Sequence, residues 1–97
     1  MVKLQVLNPQ AKTEIAPINT APRIGDLTGK TIGLYWNMKA GGDIALERTA
    51  HHLSQRFPGV EFRNYIGSVG GMLRHATGED ADRVAAECNA VVGTTSD

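Results

Sequence analysis

The apolar residues of this chain keep changing their spacing, and that alternation limits its fold more than any other feature. Thr31-Ile32-Gly33-Leu34-Tyr35-Trp36 is a compact run rich in β-branched and aromatic residues, which suits a central strand. Leu46, Ala50, Leu53 and Phe57 then fall at spacings of four, three and four, one face of a helix over 43–57. Asp43 stands at its start as an N-cap or first-turn acid, and Pro58-Gly59 stops it. Val60 to Ile66 reads as a second strand, closed by the glycine-rich loop Gly67-Ser68-Val69-Gly70-Gly71. Ala81, Val84, Ala85 and Cys88 form the next helical stripe, preceded by Thr77-Gly78-Glu79-Asp80 as cap and early acids. Ala90-Val91-Val92-Gly93 is the third strand.

Strand, helix, strand, helix, strand predicts an α/β fold with a short parallel sheet and right-handed crossovers, a three-layer Rossmann-like or flavodoxin-like half. A strand order of 2-1-3 places one helix on each face, whereas 3-2-1 places both on one face and leaves the other bare. Either order leaves apolar surface and an open edge at the third strand, because two helices cannot cover both faces of a parallel sheet. Several hundred Å² of exposed apolar area costs on the order of 10 kcal/mol at about 25 cal/mol per Å², as much as a small domain's whole stability. The expectation is an incomplete α/β domain over residues 30–97 that forms homo-oligomers through the uncovered sheet. Residues 1–29 precede it as an N-terminal strand, with Val2, Leu4 and Val6 alternating with Lys3 and Gln5, and an extended arm broken by Pro17 and Pro22.

Ten basic residues balance ten acidic ones, so no global field draws the chain to nucleic acid or to an anionic membrane. No apolar run reaches the ~20 residues of a membrane span. The amino terminus lacks the apolar core of a secretory signal, and one cysteine cannot form an internal disulfide, which together favour a cytoplasmic protein.

Three loops hold the candidate site residues, all at the carboxyl edge of the sheet. The first, Trp36 to Asp43, runs into a helix amino terminus; Asn37, Lys39, Gly41, Gly42 and Asp43 could meet an anionic ligand there, with Lys39 as counter-charge. It matches neither the P-loop nor the dinucleotide fingerprint, and the second strand ends in Asn64-Tyr65-Ile66 without the ribose-binding acid. A structural tight turn is the default reading, and no cofactor is called for. The second loop offers Gly70 and Gly71 as a facing wall, against the default of a long flexible loop. The third, Thr94, Thr95, Ser96 and Asp97, offers hydroxyls and a carboxylate at the mouth of the third strand, or is a fraying chain end. No metal site is expected: His51 and His52 diverge by about 100° on a helix, and only His75 remains. Cys88 lies on the apolar stripe and reads as a packed thiol.

The run Lys30 to Lys39, the spacing to the helix holding Leu46 and Leu53, and above all Asn89-Ala90-Val91-Val92-Gly93-Thr94-Thr95-Ser96-Asp97 resemble the UGSC-motif family of (seleno)proteins. The resemblance covers the chain from about Pro22 onward. In that family a similar strand is followed at once by selenocysteine or cysteine and then Gly-Ser-Cys, and the chain departs from the pattern there because Asp97 is its last residue. Selenocysteine is encoded by UGA, ordinarily a stop codon, so the expectation is a product truncated immediately before the motif. The resemblance implies thiol or selenol redox chemistry in which a low-pKa nucleophile attacks and the second cysteine resolves the intermediate. Two function classes follow: a fragment of a redox protein, inactive without its nucleophile, and a small binding module for an anionic metabolite.

Overall fold

A computed structural model of the chain describes residues 16–95. The expected strand at Val2–Val6 lies outside the described residues, as do Ser96 and Asp97. Five elements follow one another: β1 (Thr31–Trp36), α1 (Gly42–Arg56), β2 (Glu61–Ile66), α2 (Gly78–Glu87) and β3 (Ala90–Thr94). All strands are parallel and the sheet order is β2-β1-β3. Of the two orders the sequence allows, the one with a helix on each face is realised.

β1 is central because it alone can be buried on both faces. Ile32 and Leu34 point into the core with Leu46 of α1, and Trp36, Ala50, Leu53, Phe62, Ala90 and Val92 pack around them. Gly33 and Tyr35 point to the other face. A side chain at Gly33 would press on the Cys88 sulfur and the Tyr65 ring, both 3.2 Å from its Cβ position. Glycine there lets both settle onto the strand. The Tyr35 and Tyr65 rings stack with centroids 6.2 Å apart beneath α2.

Residues 16–30 hold no helix or strand. Their last part is nevertheless docked. Asp26 Oδ1 accepts from the Thr28 amide and hydroxyl, Leu27 packs against the core, and the Gly29 amide donates to the Pro58 carbonyl at 3.0 Å. At the same end of the sheet, Asn89 brackets Thr31: its amide donates to the Thr31 carbonyl and its Oδ1 accepts from the Thr31 amide. Both segments thereby fix where β1 begins.

The second helix differs from its expected stripe. Val84 is buried and Cys88 half-buried, but Ala81 and Ala85 are exposed. They border an apolar groove with Tyr35, Val84 and Val91, because no described element lies beyond β3 to cover that flank.

The amino terminus of α2 is closed tightly. Thr77 Oγ1 accepts from the Asp80 amide while Asp80 Oδ2 accepts from the Thr77 amide, a reciprocal capping box. The same Oδ2 takes the Ser68 amide at 3.0 Å and hydroxyl at 2.7 Å, so one buried carboxylate joins the helix to the loop after β2. The amide bonds from Thr77 and Ser68, with the Ser68 hydroxyl, hold Asp80 far below the usual carboxylate range. A depressed folded-state pKa gives stability that is full above the unfolded value of about 3.9 and is lost as pH falls towards the folded one. Chemical denaturation of the protein should therefore show stability declining below about pH 4. Asp80→Asn should be less stable at neutral pH and show a shallower acid slope; equal slopes would refute the assignment.

Candidate functional site

In a parallel sheet of order 2-1-3, the crossover from β1 to β2 leaves in one direction and that from β2 to β3 returns past β1 in the other. The crevice between the carboxyl ends of β1 and β3 is the topological switch point, where open α/β folds place ligands. A cleft of about 370 Å³ occupies this position. Tyr35, Asn37, Gly93, Thr94 and Thr95 line one side, and Leu73, Arg74, His75 and Ala76 the other.

The first wall is built by the turn into α1. Met38 takes a left-handed conformation (φ 72°), and so does Gly41 (φ 94°), the N-cap. Asn37 Oδ1 accepts from the Lys39 amide, and the Trp36 indole N–H donates to the Lys39 carbonyl at 2.7 Å. Gly42 is then pressed between β1 and β3. A Cβ there would lie 2.8 Å from Thr94 Oγ1 and 2.9 Å from the Trp36 ring, while the Thr94 hydroxyl donates to the Gly42 carbonyl at 3.1 Å. The glycine is thus a packing requirement that brings a helix start against a strand end.

The second wall is the loop after β2, and it is a folded unit in place of the expected flexible loop. Val69 and His75 form an antiparallel bridge, and the Arg74 amide donates to the Asn37 carbonyl at 3.0 Å, joining the two walls. The Arg74 guanidinium gathers the carbonyls of Gly67, Ser68 and Gly70 at 2.7, 3.1 and 3.0 Å. Its charge is spent on main-chain dipoles inside the loop. Gly67 is buried under the His75 carbonyl, leaving no room for a side chain.

The residues singled out from sequence are therefore divided. Asn37, Thr94 and Thr95 share the cleft, with Gly42 packed directly behind Thr94. Gly41 caps α1 without a side-chain hydrogen bond, and Lys39 lies in the same turn but outside the cleft lining. Asp43 is the first-turn acid of α1 and faces a different cavity of about 470 Å³ between α1 and β2. Gly70 and Gly71 belong to the folded loop without lining the cleft. Sequence reading did not place Tyr35, Leu73 and Ala76 at the site, nor see Arg74 as the loop's organiser. An arginine three residues beyond a double glycine was the only available hint.

The Tyr35 hydroxyl is buried without a hydrogen-bond partner among the described residues, and burial, with the Asp80 charge, raises its pKa. Cys88 takes no part in the cleft. It caps α2 two residues before β3, with its sulfur 3.2 Å from the Tyr65 hydroxyl oxygen, which itself lies 3.1 Å from Glu87 Oε2, so one proton serves two neighbours. The Tyr65 phenol is pushed up to about 12, chiefly by the Cys88 hydrogen bond and by desolvation. Arg63 pairs with Glu87 at 2.7 Å and Arg83 lies over the Tyr65 ring. Among the described residues no group of three or more His, Cys, Asp or Glu could hold a metal, and no helix is long and apolar enough to cross a membrane.

The architecture defines one half of a doubly wound α/β protein with a lined cleft at its switch point. The chain belongs to the UGSC family, whose family model matches residues 5–97. No curated protein and no solved structure matches it.

If Gly42 is the packing point between the helix start and the end of β3, Gly42→Ala should cost about 1–3 kcal/mol of stability. It should also alter the fluorescence of Trp36, the single tryptophan. An unchanged spectrum and melting curve would show that the three groups are not in contact.

Proposed function

We propose that this chain forms the scaffold of a thiol or selenol redox centre whose nucleophile follows Asp97 and is seated at the mouth of β3. The observation that carries the reading is the cleft at the switch point, which opens where β3 ends at Thr94 and Thr95 follows. Membership of the UGSC family supports it, because the resemblance implies a selenocysteine or cysteine and a second cysteine directly after that strand. The position of Cys88 supports it too. The chain's one thiol sits at the far end of β3, about 15 Å of strand away from the cleft, and is engaged with Tyr65. In the proposed step the thiolate or selenolate attacks a peroxide: an S–O or Se–O bond forms, the O–O bond breaks, and the leaving oxygen departs as water or alcohol. The resolving thiol then displaces water to give a disulfide or selenylsulfide, which an external thiol reduces.

The test begins with the codons after Asp97, expected to be UGA or a cysteine codon and then Gly-Ser-Cys. A chain extended by Cys-Gly-Ser-Cys should consume peroxide at the expense of an added thiol, and the chain ending at Asp97 should not. UAA or an unrelated downstream sequence, or equal activity of the two chains, removes the reading.

A second reading, an anionic metabolite at the α1 amino terminus, rests on one contrast: α2 carries a capping box, whereas α1 starts at Gly41 with no side-chain cap. The Asp43 carboxylate in the same turn already occupies the favourable end of the helix dipole, which weakens the case for a second anion. Phosphate or small carboxylates should raise the melting temperature if this reading holds, and Lys39→Gln should reduce the shift; no shift with any anion discards it.

We also propose that the open edge of β3 and the apolar groove beside it mediate self-association. Val91 is 47% exposed there, beside the exposed Ala81 and Ala85. Light scattering at micromolar concentration should show particles larger than one chain, reduced by Val91→Lys; a clean monomer would exclude a homo-oligomer.

A further inference from the structure

The second open edge of the sheet, at β2, has a different candidate occupant. The Glu61 amide donates to the Lys30 carbonyl at the start of the β1 pairing. Since successive residues of a strand direct their amides to alternate sides, Glu61, Arg63 and Tyr65 face β1, and Phe62, Asn64 and Ile66 face the open edge. No described strand lies beyond them. On the α1 side of this edge runs the cavity of about 470 Å³, with Leu34, Leu46, Ala50 and Phe62 among its apolar lining and Asp43, Glu47 and Asn64 among its polar lining. Ile66 is 42% exposed. Strand amides with no partner strand among the described residues thus lie beside a trough that is apolar over much of its floor.

We propose that residues Val2–Val6 pair with the open edge of β2 as a fourth strand and lay Val2, Leu4 and Val6 over the groove between α1 and β2. Three observations select this segment and this edge. Its alternation presents one apolar side, and Lys3 and Gln5 on the other, beside the exposed Glu61. The arm that carries it reaches the sheet on the β2 side: Gly29 is bonded to Pro58 in the turn leading into β2, and Leu27 packs on the α1 face. Residues 7–29 span up to roughly 75 Å when extended, far more than the width of one strand, so the connection imposes no strain. The β3 edge would require the arm to cross the sheet's end past Asn89, which already brackets Thr31. This docking does not depend on the redox reading.

Residue-resolved amide hydrogen exchange of the full chain tests it. The Phe62, Asn64 and Ile66 amides should be protected, and Leu4→Lys should lower their protection by about tenfold or more while Glu61, Arg63 and Tyr65 stay protected, which shows that the variant remains folded. Free exchange of the three amides in the parent would overturn the proposal. Protection that Leu4→Lys leaves unchanged would overturn it too, and if that protection also fell on dilution the edge would belong to a second copy. Should Leu4→Lys expose all six amides, Gln5→Pro, which removes one donor and keeps the apolar side, is read in the same way.

Discussion

The two-sided pairing of β1 is the constraint on which the rest of the structure depends. Parallel strands cannot be joined by tight turns, so each neighbour of β1 must be reached through a helix. With β2 on one side and β3 on the other, the two helices are forced to opposite faces. Only then are Ile32 and Leu34 covered by α1 while Gly33 and Tyr35 meet the α2 side. Both ends of β1 are pinned by groups from its neighbours. Asn89 brackets Thr31 at the start, and the Trp36 indole, the Gly42 carbonyl and the Thr94 hydroxyl close the end.

The cleft is a by-product of that divergence. Because the crossovers leave β1 in opposite directions, their loops cannot pack on each other directly above it, and the gap is filled only as far as Arg74 and Asn37 reach across. The two walls are held differently. The loop after β2 is fastened by a buried carboxylate at one end and a guanidinium at the other, both ionic partners of main-chain dipoles in a site partly shielded from water. The α1 wall rests on sterics: left-handed backbone at Met38 and Gly41, and a glycine squeezed against indole and hydroxyl.

Much of this was legible from periodicity. The run Thr31 to Trp36 is β1 to the residue, and the stripe from Leu46 to Leu53 faces the core, because burial on a sheet leaves a strong compositional trace. The Thr77-to-Asp80 signal marked a real cap for a similarly local reason, since its partners lie three residues apart. What could not be read were contacts between distant residues. Arg74 carries no sign that its guanidinium will turn back onto Gly67, Ser68 and Gly70, so its loop read as slack. Ala81 and Ala85 satisfied the helical spacing as well as Val84, but burial of a helix face also depends on what lies across from it, and that flank opens past the edge of β3.

The electrostatics of the cleft follow from the same accounting of partners. Arg74 is the one permanently charged residue of the described lining, and three carbonyls take its guanidinium donors within the loop. Thr94 donates inward to Gly42, and Asn37 is tied at its Oδ1 to the Lys39 amide and at its carbonyl to the Arg74 amide. His75 and Thr95 complete the polar lining. The Tyr35 hydroxyl is buried and has no partner among the described residues where the cleft meets the apolar groove under α2. An unmade hydrogen bond in such a place costs about 1–3 kcal/mol, as much as a well-made one to a charged group contributes. Any polar atom that reaches this hydroxyl recovers that free energy.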